Sequence, residues 1–215
     1  MKRDNYNIIV QGDLKDPSYG DGGDSAFSTG LMAWADSEQD IKLMSLFVNY
    51  SDLKIVRHPF QEKWNDTSLT SRDQVIAFFA GLRNINKVDF KNAQAALLWK
   101  SCKQYADSWM INKDIITPEV KLYLYRCLNL QEPLHIKLLG YPWAALRLLW
   151  NCYVKPNEEL NQSIVLFATL GKPWLRLLVK LHPNLNDNLI NYFCNWRDKT
   201  GMYLALNKKI KELGL

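Results

Sequence analysis

The chain has no Cys-x-x-Cys pair and no His/Cys group at zinc-finger spacing, so neither a dithiol redox motif nor a structural zinc site is read from it. Cys102, Cys127, Cys152 and Cys194 stand apart in apolar helical stretches, where they read as free, buried, small hydrophobes in a reducing, intracellular setting. No EF-hand loop is present and no metal or cofactor is assigned, although three or four clustered carboxylates could hold Mg²⁺ or Ca²⁺. The first ten residues lack the apolar core of a signal peptide. A membrane span needs about 20 mostly apolar residues. Arg147, Asn151, Lys155, Lys172 and Arg176 interrupt every such window in the most hydrophobic segment, 138–181. Strand-like sequence is scarce, with Ile8-Ile9-Val10 the one early run. A net charge of +5 is too mild to argue for nucleic acid. These absences point to a cytoplasmic protein.

What is present is helix-forming sequence rich in aromatics. Of 215 residues 47% are hydrophobic and 12% aromatic, and 8 are tryptophan, enough for one domain over 1–215 with a sizeable core. Residues 1–75 carry 8 basic and 12 acidic side chains, a net −4, which leaves +9 for residues 76–215. An acidic, motif-bearing region therefore precedes a basic helical body, and the charges suit each other within the molecule.

Apolar spacing predicts helices over 26–35 and 40–48, then 71–82, 90–111, 118–128, 141–154, 158–170, 173–181, 187–196 and 201–213. Pro118, Pro142 and Pro173 fit the first turns of three of them. Short connections favour antiparallel neighbours, so the fold class is all-α, built of antiparallel helical hairpins. An internal echo supports this, since Gly140-Tyr141-Pro142-Trp143 resembles Gly171-Lys172-Pro173-Trp174 and each precedes a leucine-rich helix with an arginine.

The chemistry gathers between Gly20 and Gln74. Gly22 and Gly23 permit a tight turn, and Asp24 or Ser25 would cap the first helix. Ser71 and Gln74 have capping-box spacing for the helix that follows. If the two helix starts converge, their open N–H groups with Arg57 and Arg72 would make an anion-friendly pocket. Asp21, Asp24, Asp66 and Asp73 supply carboxylates for acid/base work, and His58 carries a proton near neutral pH. Arg57, Trp64, Arg72 and Gln74 are the candidate substrate-binding residues. Trp34, Trp64 and Tyr19 are candidate stacking platforms, although Trp34 fits a core position equally well. Each of these residue types also caps helices or pairs in structural ion networks, so the cluster as a whole carries more weight than any member.

The runs Asp21-Gly22-Gly23-Asp24-Ser25, Arg57-His58-Pro59, Trp64-Asn65 and Ser71-Arg72-Asp73-Gln74 together resemble a signature of uncharacterised phage-encoded proteins. The likeness covers about the first third of the chain. It implies a viral origin, hence the cytoplasm of an infected host cell, and brings no activity with it. A looser likeness of architecture is to helical-toroid carbohydrate enzymes, and it extends the fold expectation to a partial α/α toroid. Three functional classes follow, the last of them a structural or assembly component. The first is an acid/base hydrolase or lyase acting on a polar, carbohydrate-like or other small-molecule substrate. The second is a non-enzymatic binding protein engaging a host or phage partner, for which residues 138–181 offer a face. The Trp–Arg–Lys flanking of that segment also suits a membrane surface, a use its charges weigh against.

Overall fold

The computed structural model describes residues 2–10, 21–49, 54–66, 68, 70–85, 118–127, 131–153, 208 and 211–212. For residues 54, 72, 73, 84, 85, 118–120 and 147–153 it describes the backbone alone. These residues are mostly helical. Helix α1 spans Ser25–Trp34, α2 Glu38–Leu43, α3 Arg72–Ile85, α4 Pro118–Cys127 and α5 Leu134–Tyr153. Single 3-10 turns lie at Met44–Phe47 and Glu62–Trp64. Strands β1, Val48–Asn49, and β2, Lys54–Ile55, pair antiparallel with Val48 opposite Ile55. Ile8, Ile9 and Val10 are buried, yet the run forms only an isolated bridge between Arg3 and Ile9.

Helix α1 is the centre of this arrangement, and every one of its residues is buried. Its sequence, Ser25-Ala26-Phe27-Ser28-Thr29-Gly30-Leu31-Met32-Ala33-Trp34, has no charged side chain, so no face of it prefers water. Helix α3 crosses it at glycine. A Cβ on Gly30 would lie 2.4 Å from the Ala77 carbonyl oxygen, and one on Gly81 would lie 2.7 Å from that of Gly30. The backbones can approach this closely only because both positions lack a side chain. The two helices run in the same sense, for Gln74 meets Gly23 at their starts while Gly81 meets Ala33 further along. This differs from the antiparallel pairing expected from short connections. The link between α1 and α3 is long and carries α2, both strands and both 3-10 turns, which returns the chain to the end where α1 began.

Around α1 one apolar cluster takes in Ile8, Phe27, Leu31, Trp34, Met44, Phe47, Ile55, Phe78, Phe79, Leu122, Tyr123 and Ile136. Trp34 belongs to this core. Helix α4 joins it through Tyr123, whose hydroxyl donates to the Ile76 carbonyl at 2.9 Å. Burial pushes the Tyr123 phenol well above its usual range and the Cys127 thiol up to about 12. Cys127 is a free, buried cysteine, as expected, while the side chains of the other three lie outside the described residues.

Several boundaries differ from the sequence reading, each for a local reason. The helix expected over 40–48 begins at Glu38 instead, because Ser37 takes the cap and its hydroxyl accepts from the Asp40 N–H. It tightens into the 3-10 turn from Met44 and ends as β1. The helix expected from Tyr141 begins at Leu134, with Pro142 inside it. Pro142 and Leu138 are both exposed, so the missing N–H bond falls on the side where water can reach the carbonyl. Ile136, Gly140 and Ala144 form the buried stripe of α5, and Leu134, Leu138, Leu139, Trp143 and Leu146 are exposed. Among the described residues no helix is long and apolar enough to cross a membrane. The helices expected over 90–111, 158–170, 173–181 and 187–196 lie outside the described residues.

Candidate functional site

Of the sequence-predicted site residues, Asp21, Asp24, Arg57, His58, Trp64 and Gln74 lie at or beside the start of α1. Asp21 closes a small turn on itself, its Oδ1 accepting from the Gly23 N–H at 2.8 Å. Gly22 donates to Gln61 Oε1 at 2.9 Å and lies flat against the His58 ring, where a Cβ would sit 2.6 Å from Cδ2. The Gly23 carbonyl is the meeting point. It accepts from Gln74 Nε2 at 2.5 Å and from the Arg57 guanidinium at 3.2 Å. Trp64 packs against Gly23, with the Arg57 guanidinium 5.5 Å and the Lys63 ammonium 4.5 Å from its ring centroid. Asp24 occupies the N-cap position of α1 with its carbonyl accepting from Ser28, and its side chain caps no first-turn N–H. Arg72 and Asp73 are in the first turn of α3, and their side chains lie outside the described residues, as does Tyr19.

Two expectations about this junction need correcting. At the α1 start the N–H groups of Ser25 and Ala26 already donate to the Gly22 and Arg57 carbonyls, so these two are not left for an anion. Nor does Gln74 form a capping box with Ser71. Its amide reaches across to Gly23, and its Oε1 is buried without a hydrogen-bond partner.

His58 is wholly buried beneath the junction. Its Nδ1 accepts from the backbone N–H groups of Phe60 and Gln61, both at 3.2 Å. Nε2 therefore carries the proton and donates to Asp4 Oδ2 at 2.9 Å. Burial lowers the pKa of His58 and outweighs the opposing pull of Asp4, so the ring is neutral at pH 7. The other oxygen of Asp4 accepts from the N–H groups of Tyr6 and Ile8, both at 2.9 Å. Asn7, with a φ of 64°, tightens this turn in a conformation that asparagine tolerates.

Asp4 and His58 thus fix two exposed aromatic residues from below. Tyr6 hangs from Asp4 and Phe60 from His58, and their rings stack with centroids 4.1 Å apart. Tyr6 is 54% and Phe60 47% exposed. The sequence reading passed over Asp4, Tyr6, Phe60 and Gln61. The available signal was the aromatic ring in each of two otherwise polar loops, together with an Asp two residues before Tyr6, the spacing of an Asx turn. Among the described residues, no group of three or more His, Cys, Asp or Glu is placed to hold a metal.

The chain matches no protein-family model, no curated protein and no solved structure.

Proposed function

We propose that the protein binds a polar, ring-bearing ligand of the glycan class, with the Tyr6–Phe60 pair as its platform. The supporting observation is that pair, stacked at 4.1 Å with about half of each residue in water. Two large rings left in solvent are unfavourable for the free protein unless something covers them. Here their backbones are held by hydrogen bonds to the buried Asp4–His58 pair, so little ordering remains to be done on binding. The apolar face of a pyranose suits such a platform, and its hydroxyls suit the charged groups of the adjoining loops: Asp21, Asp24, Arg57 and Lys63.

Hydrolysis or elimination on the same ligand is the second reading. It is favoured by two carboxylates on one turn, Asp21 exposed and Asp24 half-buried, the number of such groups that acid/base cleavage of a sugar uses. Arg72 and Asp73 at the start of α3 would extend the set. In this reading His58 positions the loops, because both of its ring nitrogens are engaged.

The test is a titration of the full chain with soluble oligosaccharides of varied composition, followed by NMR shifts at Tyr6 and Phe60. Binding of one class, weakened roughly tenfold or more by Tyr6→Ala and Phe60→Ala at an unchanged melting temperature, is the expected result. If no oligosaccharide moves these resonances, or the variants bind as tightly as the parent, the reading fails. Any turnover of the bound sugar should vanish in Asp24→Asn. A variant that merely melts earlier and keeps turnover would give Asp24 a structural role alone.

A further inference from the structure

We infer that the Asp4–His58 pair is an acid-sensitive latch, holding Tyr6 and Phe60 in register while the imidazole is neutral and releasing them when it takes a second proton. The purpose of the latch rests on the binding reading above, and its test does not. Donors and acceptors around the ring decide the matter. Nδ1 has one lone pair, already shared by the Phe60 and Gln61 N–H groups. A proton added there turns the acceptor into a donor and sets three N–H groups against one another with no acceptor among them. The ring cannot turn to escape. It has no exposed surface, and the Gly22 backbone lies so close that a Cβ there would be 2.6 Å from Cδ2 and 2.7 Å from the His58 Cβ. What can give way is the 58–61 turn, and Phe60 moves with it.

The surroundings of the ring set the balance. From the 2–10 segment, Asp4 faces it at 2.9 Å and favours the imidazolium. The Gly22 turn presents backbone, and the carboxylate of Asp21 on that turn is engaged with the Gly23 N–H. Gln61 is neutral and bonded to Gly22. Glu62 and Lys63 of the following 3-10 turn are exposed, with Lys63 over Trp64, and Arg57 reaches the Gly23 carbonyl. Asp4 is thus opposed by burial and by two amide donors, all three of which favour the neutral ring. The geometry couples ring protonation to opening of the turn, below the ordinary range of histidine.

The experiment is an NMR titration of the full chain from pH 8 to pH 5 without ligand, reading the His58 ring nitrogens and the backbone amides of Tyr6, Phe60 and Gln61. The expected result is one shared midpoint below the ordinary histidine value of 6.5, with hydrogen exchange at Phe60 and Gln61 accelerating roughly tenfold or more across it. Ring protonation with these amides unmoved would overturn the latch. So would amide movement while the ring stays neutral, or a ring that remains neutral until the whole protein unfolds. Phe60→Ala keeps every backbone donor and should keep ring and amides on one shared midpoint, whereas it should lose oligosaccharide binding. A protein that binds no sugar can still show the coupled midpoint, and one that binds sugar can still lack it, so the two readings fail separately.

Discussion

At the scale of single residues, buried polar atoms differ sharply in how well they are served. Ser25 donates its hydroxyl to the Ile9 carbonyl at 2.7 Å, yet Thr29 Oγ1, one turn further along α1, is buried without a partner. An unserved buried hydroxyl is unfavourable, and valine has nearly the same shape without it. Thr29→Val should therefore raise stability by up to about 1 kcal/mol, measured as a higher melting temperature. A clear fall would mean that the hydroxyl has found an acceptor or a water. Asp21, Arg57, Trp64 and Gln74 could be read as one cluster because each stands beside a turn or a helix start, where polar groups gather. Asp4 could not, since its partner His58 is far along the chain and nothing in local spacing joins a carboxylate to a remote imidazole.

Between elements, backbone contact at glycine decides how α1 and α3 meet. A methyl group at Gly30 would have to displace the Ala77–Phe78 backbone, which cannot swing aside as a flexible side chain can. Gly30→Ala should cost roughly 1–3 kcal/mol despite the better helix propensity of alanine. Urea unfolding checks this, and an unchanged or higher midpoint would show that the helices can move apart freely. Helices α3 and α4 were legible from apolar spacing to within a few residues, since capping residues and Pro118 mark their starts. The start of α5 was not, because the rule that places proline in a first turn assumes that the lost bond is harmful. On the wet face of a helix it is tolerated, and exposure cannot be read from spacing alone. The shared direction of α1 and α3 was equally hidden, being set by a long connection rather than by either helix.

For the molecule as a whole, the first few residues are tied into the helical body by ions as well as by apolar contact. Arg3 meets Asp40 through two nitrogens at 3.0 and 2.8 Å, and Asp40 is fully buried at 0% exposure. Ser37 adds a third bond to the same carboxylate at 2.5 Å. Removing the guanidinium leaves a buried charge without its counter-ion. Arg3→Met should lose about 3–5 kcal/mol, whereas Arg3→Met with Asp40→Leu should recover much of that loss. Equilibrium unfolding of both variants tests the pair, and equal losses would assign the whole effect to packing. The complete burial of α1 has a further consequence, for synthesis. On the ribosome α1 emerges well before α3 and meanwhile has no partner for the face that crosses it at Gly30. For those seconds, at about 5–20 residues per second, its apolar surface is open to chaperones and to neighbouring nascent chains. The segment that organises the finished molecule is thus the one most in need of protection while the molecule is being made.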